Sequence, residues 1–203
     1  METIRGKTHT ELGIDEFRER LAGYQHIHLD AGTGDGRYVR YLAARHPDRF
    51  VIGVDTCREN LREHSRADLP NALFVIAAAQ ALPHELHGLV SHLTINFPWG
   101  SLLQALVKHD ATFLNGLTSL AGRSASLDLC LNGGALAEAG WMLDAGMEEI
   151  RQSLLQAGWQ VKAPRLLDAA ALRAYPSTWA RRLAHGRDPR AILISGSLSS
   201  GAQ

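Results

Sequence analysis

Short apolar runs alternate with stretches of helical period along the whole chain. Residues 27–29, 50–54, 73–76, 89–95, 126–131, 159–161 and 191–194 predict strands. Residues 38–44, 58–66, 102–107, 111–120 and 147–157 predict helices between them. Strands separated by helices need crossover connections, so the pattern predicts an α/β fold: a seven-stranded, mostly parallel, Rossmann-like sheet with helices on both faces. Residues 3–10 around Gly6 predict a small hairpin, placing an N-terminal extension over 1–12. No repeat or linker interrupts the pattern, so 1–203 reads as one domain, with a Ser/Gly-rich tail over 196–203 expected to fray.

Ligands of such sheets sit beyond the carboxyl ends of the strands, where strand order reverses. The first strand there runs into Asp30-Ala31-Gly32-Thr33-Gly34-Asp35-Gly36, whose alternate glycines let the backbone turn tightly and leave room for a ligand. The dinucleotide fingerprint fails, because Arg37 stands where its third glycine belongs, and there is no Lys-Ser/Thr pair of a P-loop. Asp30 and Asp35 repel a pyrophosphate and suit an ammonium. Asp55 ends the second strand, 19 residues after Gly36, placed to accept from both ribose hydroxyls of a nucleoside. Loop and carboxylate together describe S-adenosyl-L-methionine. The alternative is a plain turn, with Asp55 capping the following helix.

Two tryptophans stand in unusual company. Asn96-Phe97-Pro98-Trp99-Gly100 follows the fourth strand and resembles the Asn/Asp-Pro-Pro-aromatic loop of N-methyltransferases with the second residue changed, which implies a proline-stiffened backbone whose carbonyls accept from an exocyclic amine. Pro176-Ser177-Thr178-Trp179-Ala180-Arg181-Arg182 reads as a polar loop in which an aromatic ring is flanked by arginines, as base stacking with phosphate contact requires. The pair can sandwich a flipped-out base. Ordinary packing is the alternative for each ring; Trp159 fits a core strand and Trp141 a Gly/Ala-rich connection.

Composition narrows the partners. The 21 basic and 21 acidic side chains cancel, which excludes a uniformly basic coat but not a local basic face. Six arginines between 165 and 190 face only Asp168 and Asp188, and arginine makes 18 of the cations against Lys7, Lys108 and Lys162. Forked phosphate contacts are one reason for that bias and a GC-rich genome is another. Two cysteines, Cys57 and Cys130, cannot staple a chain of this length, and residues 1–13 lack a secretory apolar region; both point to a reduced, cytoplasmic setting. No apolar run reaches the length of a membrane span. His84-Glu85-Leu86-His87 has its histidines three apart rather than four, so no metal is expected; His26 and His28 read as surface or packing residues, and Ser195-Gly-Ser lacks nucleophile-elbow flanks.

With Ile52-Gly53-Val54-Asp55, Glu59-Asn60-Leu61, Phe74-Val75-Ile76-Ala77-Ala78-Ala79, Asn96 to Leu103 and Ser177 to Arg187 added to the glycine loop, the chain resembles the Kam/Npm-type 16S rRNA (adenine-1408 N1)-methyltransferases of aminoglycoside resistance from about residue 3 to 197. The resemblance implies a class I methyltransferase fold, S-adenosyl-L-methionine as cofactor, and helix 44 of 16S rRNA in the 30S subunit as partner, with the protein a monomer. It implies a cofactor site drawn from Asp30, Gly32, Thr33, Gly34, Asp55, Ala78, Ala79, Gln80 and Asn96. It implies a catalytic pocket of Trp99, Trp179, Phe97, Pro98 and Ser177, with Ser101 nearby. Arg58, Arg62, Arg66, Arg181, Arg182, Arg187 and Arg190 are then the rRNA contacts. Gln80 replaces the family's Glu, the helix after Asp55 lacks a lysine cluster, and the connection 132–140 is nearly uncharged. A small-molecule N-methyltransferase, or a relative that docks on the ribosome but methylates little, are the competing expectations.

Overall fold

The computed structural model describes residues 1–186 and 189–199. A hairpin of β1 (Glu2–Arg5) and β2 (Thr8–Glu11) leads into helix α1 (Ile14–Leu21). The first half of the sheet follows as β3 (His26–Ala31), α2 (Arg37–Arg45), β4 (Arg49–Asp55), the single turn α3 (Arg58–Leu61) and β5 (Ala72–Ile76). The second half is β6 (Val90–Asn96), α4 (Gly100–Val107), α5 (Ala111–Ser119), β7 (Ala121–Asn132), α6 (Gly133–Glu138) and α7 (Leu143–Gln156). It closes with β8 (Gln160–Val161), β9 (Arg165–Leu167), α8 (Ala169–Ala174), α9 (Thr178–Ala184) and β10 (Ala191–Ser199).

Among the described residues the sheet has ten strands in the order β2-β1-β5-β4-β3-β6-β7-β10-β8, with β9 also on β10, rather than the seven expected. The five central strands are parallel, as the α/β pattern requires. The extra strands are edge devices. The hairpin pairs Thr3 with Val75 and so covers the open edge of β5, and β9 leans on β10 through Ala191↔Leu167 and its neighbours. Strand β10 stays paired to β7 as far as Ser199↔Ser124, past the point where fraying was expected.

The chain winds outward from β3 to β5 and then crosses back to β6, so strand order reverses between β3 and β6. The carboxyl ends of β3, β4 and β6 meet at that reversal. On one face of the sheet α4, α5 and α7 bury Leu103, Leu106, Phe113, Ile150 and Leu154 against Leu29, Ile52, Ile95 and Leu129. On the other, α2 packs Val39 and Ala43 on Val51 and Phe74, while α8 and α9 set Leu172 and Ala180 on Phe97 and Cys130.

Several local expectations change. The helix expected over 58–66 is the turn α3 followed by a 3-10 turn, His64–Arg66. Tertiary contact breaks it: Ser65 Oγ accepts from Gly6 N of the hairpin at 2.9 Å. Helix α1 escapes the periodicity because it fully buries only Phe17. Helices α6, α8 and α9 are too short for a periodic signal, but each begins at a side-chain cap: Asn132, Asp168 and Ser177 accept from Ala135, Ala171 and Ala180. Trp179 therefore stands on the first turn of a helix, not on a loop. Trp159 is buried in the core, His28 is buried, His26 is exposed, and both cysteines are free thiols. No helix of the described residues is long and apolar enough to cross a membrane.

Gly36 is where the loop hands over to α2. Its φ is +76°, and a Cβ there lies 2.5 Å from the Phe74 ring. Gly36→Ala is expected to lower unfolding free energy by about 2–4 kcal/mol, from left-handed strain plus overpacking. A urea midpoint equal to wild type contradicts this packing.

Candidate active site

Asp30, at the end of β3, is only 1% exposed. Its Oδ1 accepts from Thr94 Oγ1 at 2.7 Å and from Asn96 Nδ2 at 2.8 Å, both side chains of the adjacent β6. Its Oδ2 is buried without a partner among the described residues. Burial pushes its pKa up to about 6, with the Thr33, Thr94 and Asn96 side chains opposing the rise and Asp55 adding to it. Below it His28 Nε2 meets Thr94 Oγ1 at 3.1 Å. Since the threonine hydroxyl donates to Asp30, His28 donates to the threonine, and burial holds this imidazole neutral with its pKa well below the usual range. Strand register explains the meeting: His28 pairs with His92 and Asp30 with Thr94, which pairs in turn with Asp128. One face of the central strands is thus a polar seam between two apolar clusters.

The glycine loop wraps over this carboxylate. Gly32 and Gly34 have φ of +72° and +61°. A Cβ on Gly32 falls 2.6 Å from Leu102, while one on Gly34 meets nothing within 4 Å. Asp55 accepts from Gly34 N and Cys57 N at 2.8 Å each, so it fastens both the loop and the turn after β4. Asp55 is not the cap of α3, whose N-cap is Cys57 without a side-chain cap bond; it braces the turn that leads into that helix. Each oxygen keeps a second lone pair, so donors from a ligand remain acceptable.

After β6 the backbone turns sharply, with Phe97 at φ +54° and Gly100 at φ +55°. A non-glycine residue in that region costs on the order of 1–2 kcal/mol, offset here by burial of the Phe97 ring with Leu172 and Ala180 and by Phe97 N donating to Cys130 O. The turn delivers Trp99 to the N-cap of α4, 42% exposed. Trp179, 40% exposed, comes from α9 and stacks on it with centroids 5.5 Å apart and planes inclined by 16°. Arg182, one helical turn on, places its guanidinium 5.2 Å from the Trp179 ring centroid. Thr178 Oγ1 donates to Asp35 Oδ2 at 2.6 Å, and the Tyr175 hydroxyl donates to Asn96 Oδ1, so the α8–α9 segment is fastened to both the glycine loop and β6.

These parts enclose one cavity of about 510 Å³. Of the residues picked from sequence, Asp30, Gly32, Thr33, Gly34, Asp55, Ala79, Gln80 and Asn96 line it, together with Phe97, Pro98, Trp99, Ser101, Ser177, Trp179 and Arg182. Ala78 does not. The Ser177 hydroxyl is committed as the α9 cap, accepting from Ala180 N at 3.1 Å. Arg58, Arg62, Arg66, Arg181 and Arg190 are exposed outside the cavity; Arg58 pairs with Glu2 at 2.9 Å and Arg62 with Glu59 at 3.2 Å. Arg187 lies outside the described residues. Sequence reading missed Tyr38, Thr56 and Leu102 in the lining, and the contacts of Thr94, Tyr175 and Thr178 behind it. The alternating polar residues of β3 and β6 were the available signal for Thr94; none marked Tyr175.

The cavity fits an adenosyl ligand with a cationic amino-acid arm. Asp30 Oδ2 is an acceptor open to a ligand's donor, and the buried Thr33 hydroxyl, which favours the charged carboxylate, can donate or accept. Three carboxylates (Asp30, Asp35 and Asp55) line it, favouring an ammonium over a phosphate, and its volume lies in the range of small-molecule sites. No group of three or more His, Cys, Asp or Glu gathers among the described residues in a way that holds a metal ion.

Comparison with known proteins agrees with this geometry. The family described as NpmA: 16S rRNA (adenine(1408)-N(1))-methyltransferase matches residues 2–198. The chain is 30% identical to the 16S rRNA (adenine(1408)-N(1))-methyltransferase of Escherichia coli, over 97% of this chain and 98% of that protein. It is 31% identical to the one from Streptoalloteichus hindustanus, over 95% and 96%. Among solved structures, the 16S rRNA methyltransferase KamB superposes with TM-score 0.88 at 29% identity, covering 98% of this chain and 100% of that one. A variant of the adenine-1408 N1-methyltransferase of Catenulisporales acidiphilia, with cosubstrate SAM, superposes with TM-score 0.85 at 26% identity, covering 100% and 99%.

The raised pKa of Asp30 has a consequence for stability. The folded value near 6 exceeds the ordinary 3.8, so Asp30 favours the fold below the unfolded value, and that contribution is lost as pH rises through about 6. Asp30→Asn keeps an oxygen toward Thr94 and Asn96 and removes the buried charge. It is expected to be more stable than wild type by about 2–3 kcal/mol at neutral pH, the gain vanishing near pH 4. Melting curves across that range check it, and a pH-independent difference contradicts it.

Proposed function

Because the chain belongs to the NpmA family of 16S rRNA (adenine(1408)-N(1))-methyltransferases, we propose that it transfers a methyl group from S-adenosyl-L-methionine to N1 of adenine-1408 in helix 44 of 16S rRNA. It acts on the assembled 30S subunit, in the cytoplasm, as a monomeric single domain without a metal ion, and the modification gives aminoglycoside resistance. The observation that carries this reading is the pair of stacked indoles, Trp99 and Trp179, at the mouth of a cavity floored by a buried carboxylate with one oxygen free of hydrogen bonds.

In this reading Asp30 holds the cofactor's ammonium, Asp55 accepts from its ribose, and Gly32, Thr33 and Gly34 leave space for the backbone approach. Ala79, Gln80 and Asn96 complete the seat. When bound, S-adenosylmethionine supplies an electrophilic methyl group on a sulfonium. Adenine N1 has a free lone pair, so no side chain has to remove a proton before attack. The task of the protein is to hold the ring, exclude water and aim N1, and positioning of that kind lowers a barrier by several kcal/mol. The Phe97 carbonyl, in the turn stiffened by Pro98, accepts from the exocyclic amine.

The indoles hold the adenine by exchanging one stack for two. At 5.5 Å between centroids they leave no space for a third ring, and a sandwiched base needs about 7 Å, two stacking distances of roughly 3.4 Å. Base entry therefore parts them, and about 1–3 kcal/mol of stacking per base returns once it is seated. Arg182 stands at the rim beside Trp179, with Arg181 on the same helix and Arg190 beyond it. Arg58, Arg62 and Arg66 face outward after β4. The ion pairs of Arg58 and Arg62 are solvent-exposed and worth little, so phosphate replaces Glu2 and Glu59 at small cost. Arg187 belongs to the same proposed set.

Incubating the protein with labelled methyl donor and isolated 30S subunits, followed by primer extension, tests the reading. A stop at adenine-1408 supports it, and absence of label in 16S rRNA overturns it. Trp179→Ala is expected to lower 16S rRNA methylation about 10- to 100-fold while cofactor affinity stays within about twofold, because the ring packs on Trp99 and Arg182 at the mouth and the cofactor is held in this reading by Asp30 and Asp55. Equal loss of both makes Trp179 a structural residue.

A further inference from the structure

Asn96 is the hinge between the cofactor seat and the α8–α9 segment. Among the described residues its side-chain amide makes two bonds: Nδ2 donates to Asp30 Oδ1 at 2.8 Å, and Oδ1 accepts from the Tyr175 hydroxyl. An amide has two orientations that differ by exchange of nitrogen and oxygen, and only one presents a donor to Asp30. The Asp30 carboxylate, which can only accept, selects it, and the Tyr175 hydroxyl donating to Oδ1 anchors the amide in that place. Tyr175 itself is firmly held. Its ring lies parallel to Tyr38 of α2 at 5.5 Å and edge-on to Phe97 at 5.8 Å. Its backbone carbonyl accepts from Ser177 N at 2.9 Å, two residues before Trp179. One side chain thus touches the helix after the glycine loop, the turn that carries Trp99 and the segment that carries Trp179.

We propose that Tyr175 is a positioning residue for cofactor binding, acting through Asn96 to keep a donor on Asp30 and so tying the seat of the ammonium to the helix that bears Trp179. The proposal rests on the reading of Asp30 as that seat. Its physical content is a second-hand effect on charge: the Asn96 donor opposes the burial that lifts the pKa of Asp30, and without it the carboxyl protonates more readily. The other titratable groups around Asp30 are Asp55 at the end of β4, Tyr38 on α2 and His28 behind Thr94, with Asp35 lining the same cavity. Cys130 on β7 also faces Asp30; a Tyr175→Phe variant keeps every one of these groups and the aromatic ring, and removes the hydroxyl that Tyr38 and Cys130 share with Asn96.

The test is calorimetric titration of S-adenosylmethionine into wild type and Tyr175→Phe from about pH 5 to about pH 8, a span that brackets the Asp30 pKa near 6. Wild-type affinity is expected to fall as pH drops through about 6, where Asp30 gains a proton. Tyr175→Phe is expected to bind about tenfold more weakly at neutral pH, with the fall beginning at higher pH. Near-UV circular dichroism of the stacked Trp99–Trp179 pair reports that the fold and the clamp survive. In an Asn96→Ala background the same substitution is expected to change affinity by less than about twofold, because its route to Asp30 is gone. Equal affinity and pH profile in Tyr175→Phe overturn the proposal, as do additive losses in the double variant or loss of the cooperative melt. A wild type that does not bind S-adenosylmethionine overturns the proposed function as well.

Discussion

Asp30 is almost fully removed from water, yet one of its oxygens has no partner, and the surroundings are arranged around that imbalance. A buried carboxylate is expensive unless donors or cations reach it. Thr33, Thr94 and Asn96 together hold the pKa to about 6 rather than letting burial drive it further. The remaining oxygen faces a cavity that the glycine loop keeps open, so the residual cost falls away when a cationic group arrives. Stability lost in the empty fold becomes affinity in the occupied one, a trade common to functional sites.

The fold serves that carboxylate by topology. Strand order reverses between β3 and β6, so the ends of β3, β4 and β6 present Asp30, Asp55 and Asn96 to the same space. The polar side chains of β3, β6 and β7 share one face by register, and Tyr38 and Tyr175 cover them with a parallel ring stack. A rigid floor and a mouth made of two exposed indoles then divide the labour. In the proposed function the floor takes the small charged ligand and the mouth the flat one that has left its own stack.

The central sheet, the glycine loop and Asp55 were legible because strand ends and φ-permissive residues leave local marks. The indole pair was legible as two odd neighbourhoods, Asn96 to Gly100 and Pro176 to Arg182, although the second proved to be a capped helix. The contacts behind the site were not. Tyr175 and Asn96 are 79 positions apart, and Thr178 and Asp35 are 143 apart, so only long-range packing brings them together. Of the edge strands β9 escaped, because a three-residue pairing carries no period, whereas the hairpin and the strand over 159–161 were expected. The break in the helix over 58–66 escaped because Ser65 is claimed by the hairpin turn at Gly6. His28 looked like a packing residue alone; its place beneath Thr94 needs the register of β3 on β6.

The most direct test of the buried carboxylate as the seat of a cation is a double cycle in which both partners are removed. Binding of S-adenosylhomocysteine and of its analogue lacking the α-amino group is measured in wild type and in Asp30→Asn at neutral pH. Loss of the amino group is expected to weaken binding to wild type by about 10- to 100-fold, as a charge-assisted bond requires, and to leave binding to Asp30→Asn nearly unchanged. Equal losses in the two proteins contradict the account.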